Sequence, residues 1–153
     1  MKALIQRVSN AEVKVDGKTV GSCKNGLLVL FCAVSGDTES EIELLAKKTA
    51  NLRIFCDEND KMNLSVLDIG GEILCISQFT LAADTKKGNR PSFINAMDPE
   101  TAQIYYEKFC AVLETLGVKH VGRGVFGADM KVSLLNNGPV TVMLDTDVWR
   151  KKV

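Results

Sequence analysis

The sequence predicts an α+β domain with a largely antiparallel, strongly curved or barrel-like sheet and two covering helices. Short alternating or apolar segments typical of strands fill most of the chain, turn residues separate them, and only two segments have helical periodicity. Strands and helices do not alternate strictly, as they would in a parallel sheet. With 153 residues, the whole chain, 1–153, is expected to form a single domain. Because about eight strands with two helices leave one sheet face open, a homodimer is expected.

A hairpin and a central strand are predicted in the first half of the chain. Asp16 and Gly17 separate two alternating segments, and Asp-Gly at such a position is a strong signal for a two-residue hairpin turn. Segment 27–34 is apolar on both faces, which indicates a strand in the interior of the sheet. The other strands of this half are expected at 3–8, 12–15, 18–21, 53–56, 63–67 and 72–81.

Two segments have the periodicity and the capping residues of amphipathic helices. A capping-box pattern at 38–41 opens the first, and apolar residues recur at helical spacing over 39–52. Asp98 and Pro99 open the second, whose apolar stripe ends at Gly117. We interpret the Tyr and Phe residues of this stripe as core residues, because an aromatic stripe at helical spacing usually packs inside a domain.

The second half also contains a long loop and a predicted turn between two strands. Residues 82–97 have no clear period, and a loop of that length in a compact domain is often functional. The last strands are expected at 118–121, 130–135 and 140–144, with 136–139 turning between the final two.

Composition and charge exclude several classes of protein. Nineteen basic residues balance nineteen acidic ones, which argues against a general nucleic-acid coat, and DNA is not expected as a partner. The longest apolar run is far shorter than the roughly 20 residues of a membrane span, and the amino-terminal segment does not resemble a secretory signal. Five cysteines without a Cys-x-x-Cys pair are typical of buried thiols in a reducing compartment, so we expect a cytoplasmic protein without membrane partners.

Common catalytic and cofactor patterns are weak in this sequence. Segment 122–127 matches Gly-x-Gly-x-x-Gly, but alternating residues follow it where a dinucleotide site needs a helix, so a close-packed glycine turn is the preferred interpretation. His120 is the single histidine, and no cysteine pair at ligand spacing accompanies it. We therefore expect no metal and no cofactor, and chemistry that depends on backbone amides, hydroxyls and the substrate's own groups.

Two segments carry polar groups at unusual places. Ser77, Gln78 and Thr80 stand where an apolar strand would be expected to continue, and buried polar groups are costly unless they are hydrogen-bonded. The alternative is a strand end solvated in a loop. Segment 136–141 contains Gly138-Pro139, and a Gly-Pro bond in a tight turn favours a cis peptide with two accessible carbonyl groups. An ordinary hairpin turn is the alternative here.

Together these segments resemble the paired signature of the D-aminoacyl-tRNA deacylase family. The first motif reads Ser-Gln-Phe-Thr-Leu over 77–81, and the second reads Asn-Asn-Gly-Pro-Val-Thr over 136–141. Similarity extends to the opening residues 1–8, to 88–93 in the long loop and to 127–130, and so covers essentially the whole chain. Either motif alone is weak, whereas both in this order in a chain of this length are specific.

The resemblance implies an enzyme that hydrolyses the ester bond of D-aminoacyl-tRNA, and of glycyl-tRNA mischarged on tRNA-Ala. It implies a homodimer with active sites at the subunit interface, where the Gly138-Pro139 cis turn of one protomer enters the pocket of the other and Arg7 braces that turn. The carbonyl groups of the turn would hold the α-amino group and leave no space for an L side chain, so that proofreading works by rejection.

For the chemistry, the resemblance implies that N–H groups around Phe79 and Thr80 bind the carbonyl oxygen of the ester, with help from the 2′-hydroxyl of the terminal ribose. Ser77 and Gln78 would shape the pocket and hold the terminal adenosine. A nucleophilic Thr80 is a further possibility. The remaining expected substrate contacts are Met130, Asn136 and Thr141, and the candidate phosphate contacts are Lys86, Lys87, Arg90, Arg150, Lys151 and Lys152, with solvated surface charge as the alternative for each cation.

Two other hypotheses remain open at this point. The chain would be a non-catalytic module that binds an RNA end if the two segments form only a binding pocket. It would be a hydrolase of some other ester if Thr80 or a cysteine acts as nucleophile.

Overall fold

The computed structural model describes residues 1–150, which form eight strands, three α-helices and one 3₁₀ turn. In chain order these elements are β1 (Lys2–Val15), β2 (Lys18–Cys23), β3 (Gly26–Cys32), α1 (Glu39–Asn51), β4 (Phe55–Cys56), β5 (Met62–Leu64), β6 (Glu72–Ser77), the 3₁₀ turn (Phe79–Ala82), α2 (Pro99–Thr115), β7 (Val121–Arg123), β8 (Lys131–Asp145) and α3 (Thr146–Trp149). None of the helices within residues 1–150 has the length and apolar character needed to cross a membrane.

The main sheet curls into a nearly closed barrel. Its strand order is β2-β1-β3-β6-β7, and β8 pairs with β1. β2 and β7 approach closely at the seam, where a side-chain carbon on Gly21 would lie 2.3 Å from the carbonyl oxygen of Arg123, so glycine is required at that position. The predicted α+β class and the barrel-like curvature are therefore confirmed.

The expectation of a largely antiparallel sheet was wrong, because the sheet is mixed. β3 and β6 are parallel, and so are β6 and β7, whereas β1 is antiparallel to β2, β3 and β8. The connection from β3 to β6 contains α1 and the small β4-β5 ribbon. A pairing between segments so distant in sequence leaves no signal in local periodicity.

β1 organises the barrel because strands pair along both of its edges. One edge pairs with β8 from Lys2 opposite Asp145 to Lys14 opposite Lys131. The other edge is shared, with β3 along 2–8 and β2 along 11–15. The outer edge of β8 has no strand partner among the described residues.

The core lies between the barrel and the two long helices. Phe109 of α2 is fully buried and stacks on Phe31 of β3 with ring centroids 4.8 Å apart. The hydroxyl of Tyr106, also on α2, donates a hydrogen bond of 2.7 Å to the carbonyl oxygen of Cys75 in β6. The aromatic stripe of this helix is therefore core, as its spacing indicates.

Local signals located most elements correctly. Both long helices form where they are predicted, and Asp16 and Gly17 have the positive φ angles, 50° and 78°, of the predicted hairpin turn. Several strand boundaries were wrong. The strands expected at 3–8 and 12–15 are parts of β1, and those expected at 27–34 and 72–81 end at Cys32 and Ser77. The strands expected at 53–56 and 63–67 are shorter, and the strand expected at 118–121 begins only at Val121. α3 is a third, unpredicted helix of four residues.

Replacing Phe109 with Ala is expected to lower the free energy of unfolding by about 3–5 kcal/mol, because the change empties a fully buried ring site. Ile104 lies on the same helix and is 50% exposed, so Ile104→Ala is expected to cost about 0.5 kcal/mol. Denaturant unfolding of the two variants measures both values. Similar losses would contradict this account of the core.

Candidate functional site

A cavity of about 310 Å³ opens beside the carboxyl end of β6. Its wall contains Ser77, Gln78 and Phe79 from one side, and Phe126 and Met130 from the other. Residues 73–76 of β6 are buried. Its last pair with β3 joins Ser77 to Phe31, and Ser77 is partly exposed. The first motif therefore follows a buried strand directly, as the sequence predicts, and the chain bends into the 3₁₀ turn immediately afterwards.

Two consecutive backbone N–H groups are unpaired at this bend. The N–H of Gln78 donates a hydrogen bond of 2.7 Å to the carbonyl oxygen of Phe31, and the N–H of Leu81 donates to Gln78 at 3.2 Å. Between them, the N–H groups of Phe79 and Thr80 have no acceptor within residues 1–150. The amide of the Gln78 side chain donates to the Thr80 hydroxyl. Phe79 lines the cavity, and adjacent N–H donors next to a cavity can stabilise an oxyanion.

The glycine-rich segment forms the opposite wall of this cavity. A side-chain carbon on Gly124 would lie 2.6 Å from the sulfur of Met130, so glycine allows that side chain to pack closely. After Gly127, whose φ is +77°, the chain continues into β8 and not into a helix. This geometry agrees with a close-packed glycine turn and lacks the helix that a dinucleotide site requires.

The second motif lies in a bulge of β8, which corrects the predicted turn between two strands. Asn136 is paired opposite Val8 and Thr141 opposite Gln6, so four residues of β8 face Arg7 alone. Strands expected at 130–135 and 140–144 are consequently parts of one strand. The misleading signal was Gly-Pro itself, which is as suitable for a bulge as for a hairpin.

Hydrogen bonds fix this bulge firmly from both sides. Arg7 donates through Nε to the carbonyl oxygen of Asn137 at 2.8 Å and through a terminal nitrogen to that of Ile54 at 2.7 Å. The Asn136 amide donates to the carbonyl oxygens of Arg7 at 3.0 Å and Val140 at 3.2 Å.

The Gly138-Pro139 peptide bond is cis, and both of its residues are exposed. The Gln6 amide donates to the Thr141 hydroxyl at 3.2 Å. Arg7, Asn136 and Thr141 therefore surround the exposed Gly-Pro segment within one chain.

Within one chain the two motifs form separate clusters. None of residues 136–141 lines the cavity beside Ser77. Val132 does line it, and Gly138 lies six positions further along the strand, a distance of up to about 20 Å.

The remaining candidate nucleophiles and bases lie outside the cavity or are inactivated by burial. His120 lies next to the close approach of β2 and β7, where its Nε2 is 2.7 Å from the carbonyl oxygen of Ser22. Cys32 is close to the site, and its sulfur lies 3.6 Å from the carbonyl oxygen of Phe79. Burial raises the pKa of the Cys32 thiol to about 11, so it is neutral and weakly nucleophilic near pH 7.

The candidate phosphate contacts divide into two groups. Lys86, Lys87 and Arg90 are exposed on a small hairpin, which backbone hydrogen bonds between Asp84 and Ser92 close at 2.7 and 2.9 Å. None of these three cations forms an ion pair within residues 1–150. The second group comprises Arg150, Lys151 and Lys152, of which the last two lie outside the described residues.

Arg150 is engaged in an ion-pair network that sequence reasoning missed. Its guanidinium contacts Asp37 and Glu41 at 3.0 Å each. Asp37 is nearly buried and also pairs with the α-amino group of Met1 at 2.8 Å. In the sequence, Asp37 reads only as a polar residue after a strand, so no local signal revealed its buried partner.

Free N–H donors next to a cavity are compatible with carbonyl chemistry of the ester-hydrolase type. The family model described as D-Tyr-tRNA(Tyr) deacylase matches residues 4–145. The chain therefore belongs to this deacylase family.

Relatives with curated names agree with the family model. A protein of Paracoccus denitrificans named D-aminoacyl-tRNA deacylase is 58% identical over 146 residues, which cover 95% of this chain and 97% of the relative. A protein of Roseiflexus castenholzii with the same name is 54% identical over 151 residues, covering 99% and 96%.

Solved structures also match nearly the whole chain. One, named c-Myc DNA Unwinding Element Binding Protein, has a TM-score of 0.90 at 41% identity and covers 95% of this chain and 98% of its own. Another, titled as a structural analysis of a probable eukaryotic D-amino acid tRNA deacylase, has a TM-score of 0.83 and covers 94% and 97%. Its identity of 17% makes it a match of fold alone.

Proposed function

We propose that the chain, acting as a single domain over 1–153, hydrolyses D-aminoacyl-tRNA to free D-amino acid and tRNA. Glycyl-tRNA mischarged on tRNA-Ala is a second proposed substrate. The observation that carries the proposal is the pair of unpaired N–H groups at Phe79 and Thr80 beside the cavity. Family membership and the names of the relatives support the choice of substrate.

The proposed chemistry is attack of water on the ester carbonyl. The N–H groups of Phe79 and Thr80 stabilise the negative charge on the carbonyl oxygen in the tetrahedral intermediate. Its collapse breaks the bond to the ribose oxygen, which leaves with a proton. One preorganised oxyanion donor is typically worth about 3–4 kcal/mol, and an aminoacyl ester is already reactive, so positioning and oxyanion binding are sufficient.

The cavity is proposed to hold the terminal adenosine. Its volume, about 310 Å³, and its mixture of polar and apolar side chains suit a nucleoside. Ser77 and Gln78 supply hydrogen-bonding groups at one side, while Phe126 and Met130 supply an apolar wall. The ribose 2′-hydroxyl then lies beside the reacting ester and assists proton transfer. No histidine lines the cavity to take that role.

Chirality is proposed to be read by the Gly138-Pro139 segment of a second copy of the chain. The two motifs are separate within one protomer, and both residues of this segment are exposed and rigidly held through Arg7 and Asn136. Main-chain carbonyl groups that hold the α-amino group occupy the space of an L side chain. A D side chain points away, so the site rejects one enantiomer by bulk.

The homodimer that this arrangement needs has a suitable surface. β8 leaves its outer edge without a strand partner within residues 1–150, and a long exposed edge normally pairs with or is covered by another chain. Leu134, Leu135 and Met143 of β8 are 37%, 58% and 50% exposed. We propose the cytoplasm as the place of the reaction, since the proposed substrate is charged tRNA.

A binding module without catalysis is the second candidate. The name of the solved structure with 41% identity refers to DNA binding, so a nucleic-acid end would occupy the cavity without reaction in this alternative. The zero net charge speaks against extensive DNA contact, and the free N–H pair speaks for catalysis.

Purified, metal-stripped protein is expected to hydrolyse D-tyrosyl-tRNA and to leave L-tyrosyl-tRNA intact, because the proposed wedge excludes the L side chain. Release of labelled tyrosine measures both rates. Binding of uncharged tRNA or of single-stranded DNA without any hydrolysis would support the module instead. Equal hydrolysis of the two enantiomers would refute chiral rejection.

Thr80→Pro is expected to lower kcat by about 100- to 1000-fold, because it removes one of the two oxyanion donors. Thr80→Ala keeps the N–H group and is expected to retain more than about 1% of kcat, since losing a general base or nucleophile costs at least about 100-fold. Single-turnover deacylation compares the two variants. Abolition by Thr80→Ala would show instead that the hydroxyl acts chemically.

Arg7→Lys is expected to reduce kcat/KM for D-tyrosyl-tRNA by about 100-fold, because lysine cannot contact the Asn137 and Ile54 carbonyl oxygens together and small misplacements are costly in catalysis. Arg53→Lys is the matched control, since Arg53 bonds the carbonyl oxygen of Asn63 away from the bulge. Oligomeric mass is measured for both. Comparable activity of the two variants would remove Arg7 from the proposed site.

A further inference from the structure

A second recess adjoins the cavity on the far side of Phe79. This aromatic groove, about 390 Å³ in volume, is lined by Phe79, Phe93, Met97, Pro99 and Phe126, among others. Phe79 and Phe126 line both recesses, so the groove and the cavity are direct neighbours. The proposed catalytic chemistry uses neither Phe93 nor Met97.

The aromatic groove presents ring surface to solvent. Phe79 is 56% exposed and Phe93 is 37% exposed, and their rings meet edge to face with centroids 5.1 Å apart. Exposed aromatic rings that form one surface usually mark a binding site. Stacking of nucleobases on aromatic side chains is the common way in which proteins hold single-stranded nucleic acid.

The segment of chain that leads into this groove is cationic. Phe93 follows directly after Ser92, which closes the hairpin that carries Lys86, Lys87 and Arg90. Asp98 is the acidic side chain among the lining residues, and it accepts a hydrogen bond of 2.9 Å from the N–H of Thr101 at the start of α2. An aromatic surface flanked by several cations is complementary to a base attached to a phosphate backbone.

We propose that the aromatic groove receives the base of the penultimate nucleotide of tRNA, a cytidine, while the 84–92 hairpin contacts the adjoining phosphates. This inference rests on the proposed function, which places the terminal adenosine in the cavity. The single-stranded 3′ end then runs from the cavity over Phe79 to Phe93. Binding energy gained away from the ester orients the reacting group.

Short substrates test the groove separately from the catalytic site. We compare the D-tyrosyl ester of adenosine with that of the dinucleotide CpA, and with an analogue of the dinucleotide that lacks the cytosine base. The wild type is expected to prefer the dinucleotide about 10-fold in kcat/KM, since stacking one base has an effect of this order, and the abasic analogue is expected to lose the preference.

Phe93→Ala is expected to reduce the ratio of kcat/KM for the dinucleotide to kcat/KM for the adenosine ester about 10-fold. Phe93→Trp is expected to preserve the ratio, because it keeps a stacking surface. Ile94→Ala is the matched control, since Ile94 is 81% exposed and does not line the groove. A ratio that is unchanged in Phe93→Ala overturns the proposal, as does an altered oligomeric mass, which would make the groove an interface between copies.

Direct binding separates failure of this inference from failure of the proposed function. If the wild type hydrolyses no ester, the proposed function fails, and anisotropy of a fluorescent ACCA oligonucleotide tests the groove alone. Phe93→Ala is expected to weaken binding about 10-fold, and the double variant Lys86→Ala/Lys87→Ala to reduce the slope of log affinity against log salt by about 1. Unchanged affinity and slope would overturn the proposal in this case too.

Discussion

The pairing of β1 along both edges is the constraint on which the candidate site depends. Through β3, β1 sets the register of β6, whose ladder ends where the N–H of Gln78 meets the carbonyl oxygen of Phe31. Through β8, it sets the position of the bulge opposite Arg7. One strand thus fixes both polar clusters, and the free N–H groups arise because the ladder stops one residue before Phe79.

Local chemistry explains why much of this fold is readable from the sequence. The hairpin turn, the two long helices and the buried strand at 27–34 depend on residues that are neighbours in the chain, so periodicity and capping residues reveal them. The parallel partners of β6 and the shared edge of β1 depend on distant segments. These pairings were not predicted because the paired segments are far apart in sequence. The missed parallel pairs account for the wrong expectation of a largely antiparallel sheet.

The sequence likewise revealed the segments of the candidate site but not their arrangement. Polar residues after an apolar strand revealed the segment at 77–80, and a Gly-Pro pair revealed the other, because both patterns are unusual within strands. The bulge itself could not be distinguished from a hairpin, since that requires knowing that 130–135 and 140–144 share β1 as a partner. The long loop and the similarity at 88–93 drew attention to the segment that contains Phe93, but its contact with Phe79 is a consequence of the tertiary fold.

The division of the two motifs between clusters has a consequence for the proposed selectivity. A main-chain wedge that excludes an L side chain senses occupied volume, so it cannot distinguish glycine from a D-residue. Identity of the amino acid therefore contributes little to recognition, and most binding energy must come from the nucleic acid. The cavity and the aromatic groove share Phe79 and Phe126, and the 84–92 hairpin leads into Phe93, so the proposed contacts with nucleic acid can supply such energy. Under this proposal, selectivity arises from the main-chain groups that block an L side chain, and affinity arises from contacts with the nucleic acid away from the ester.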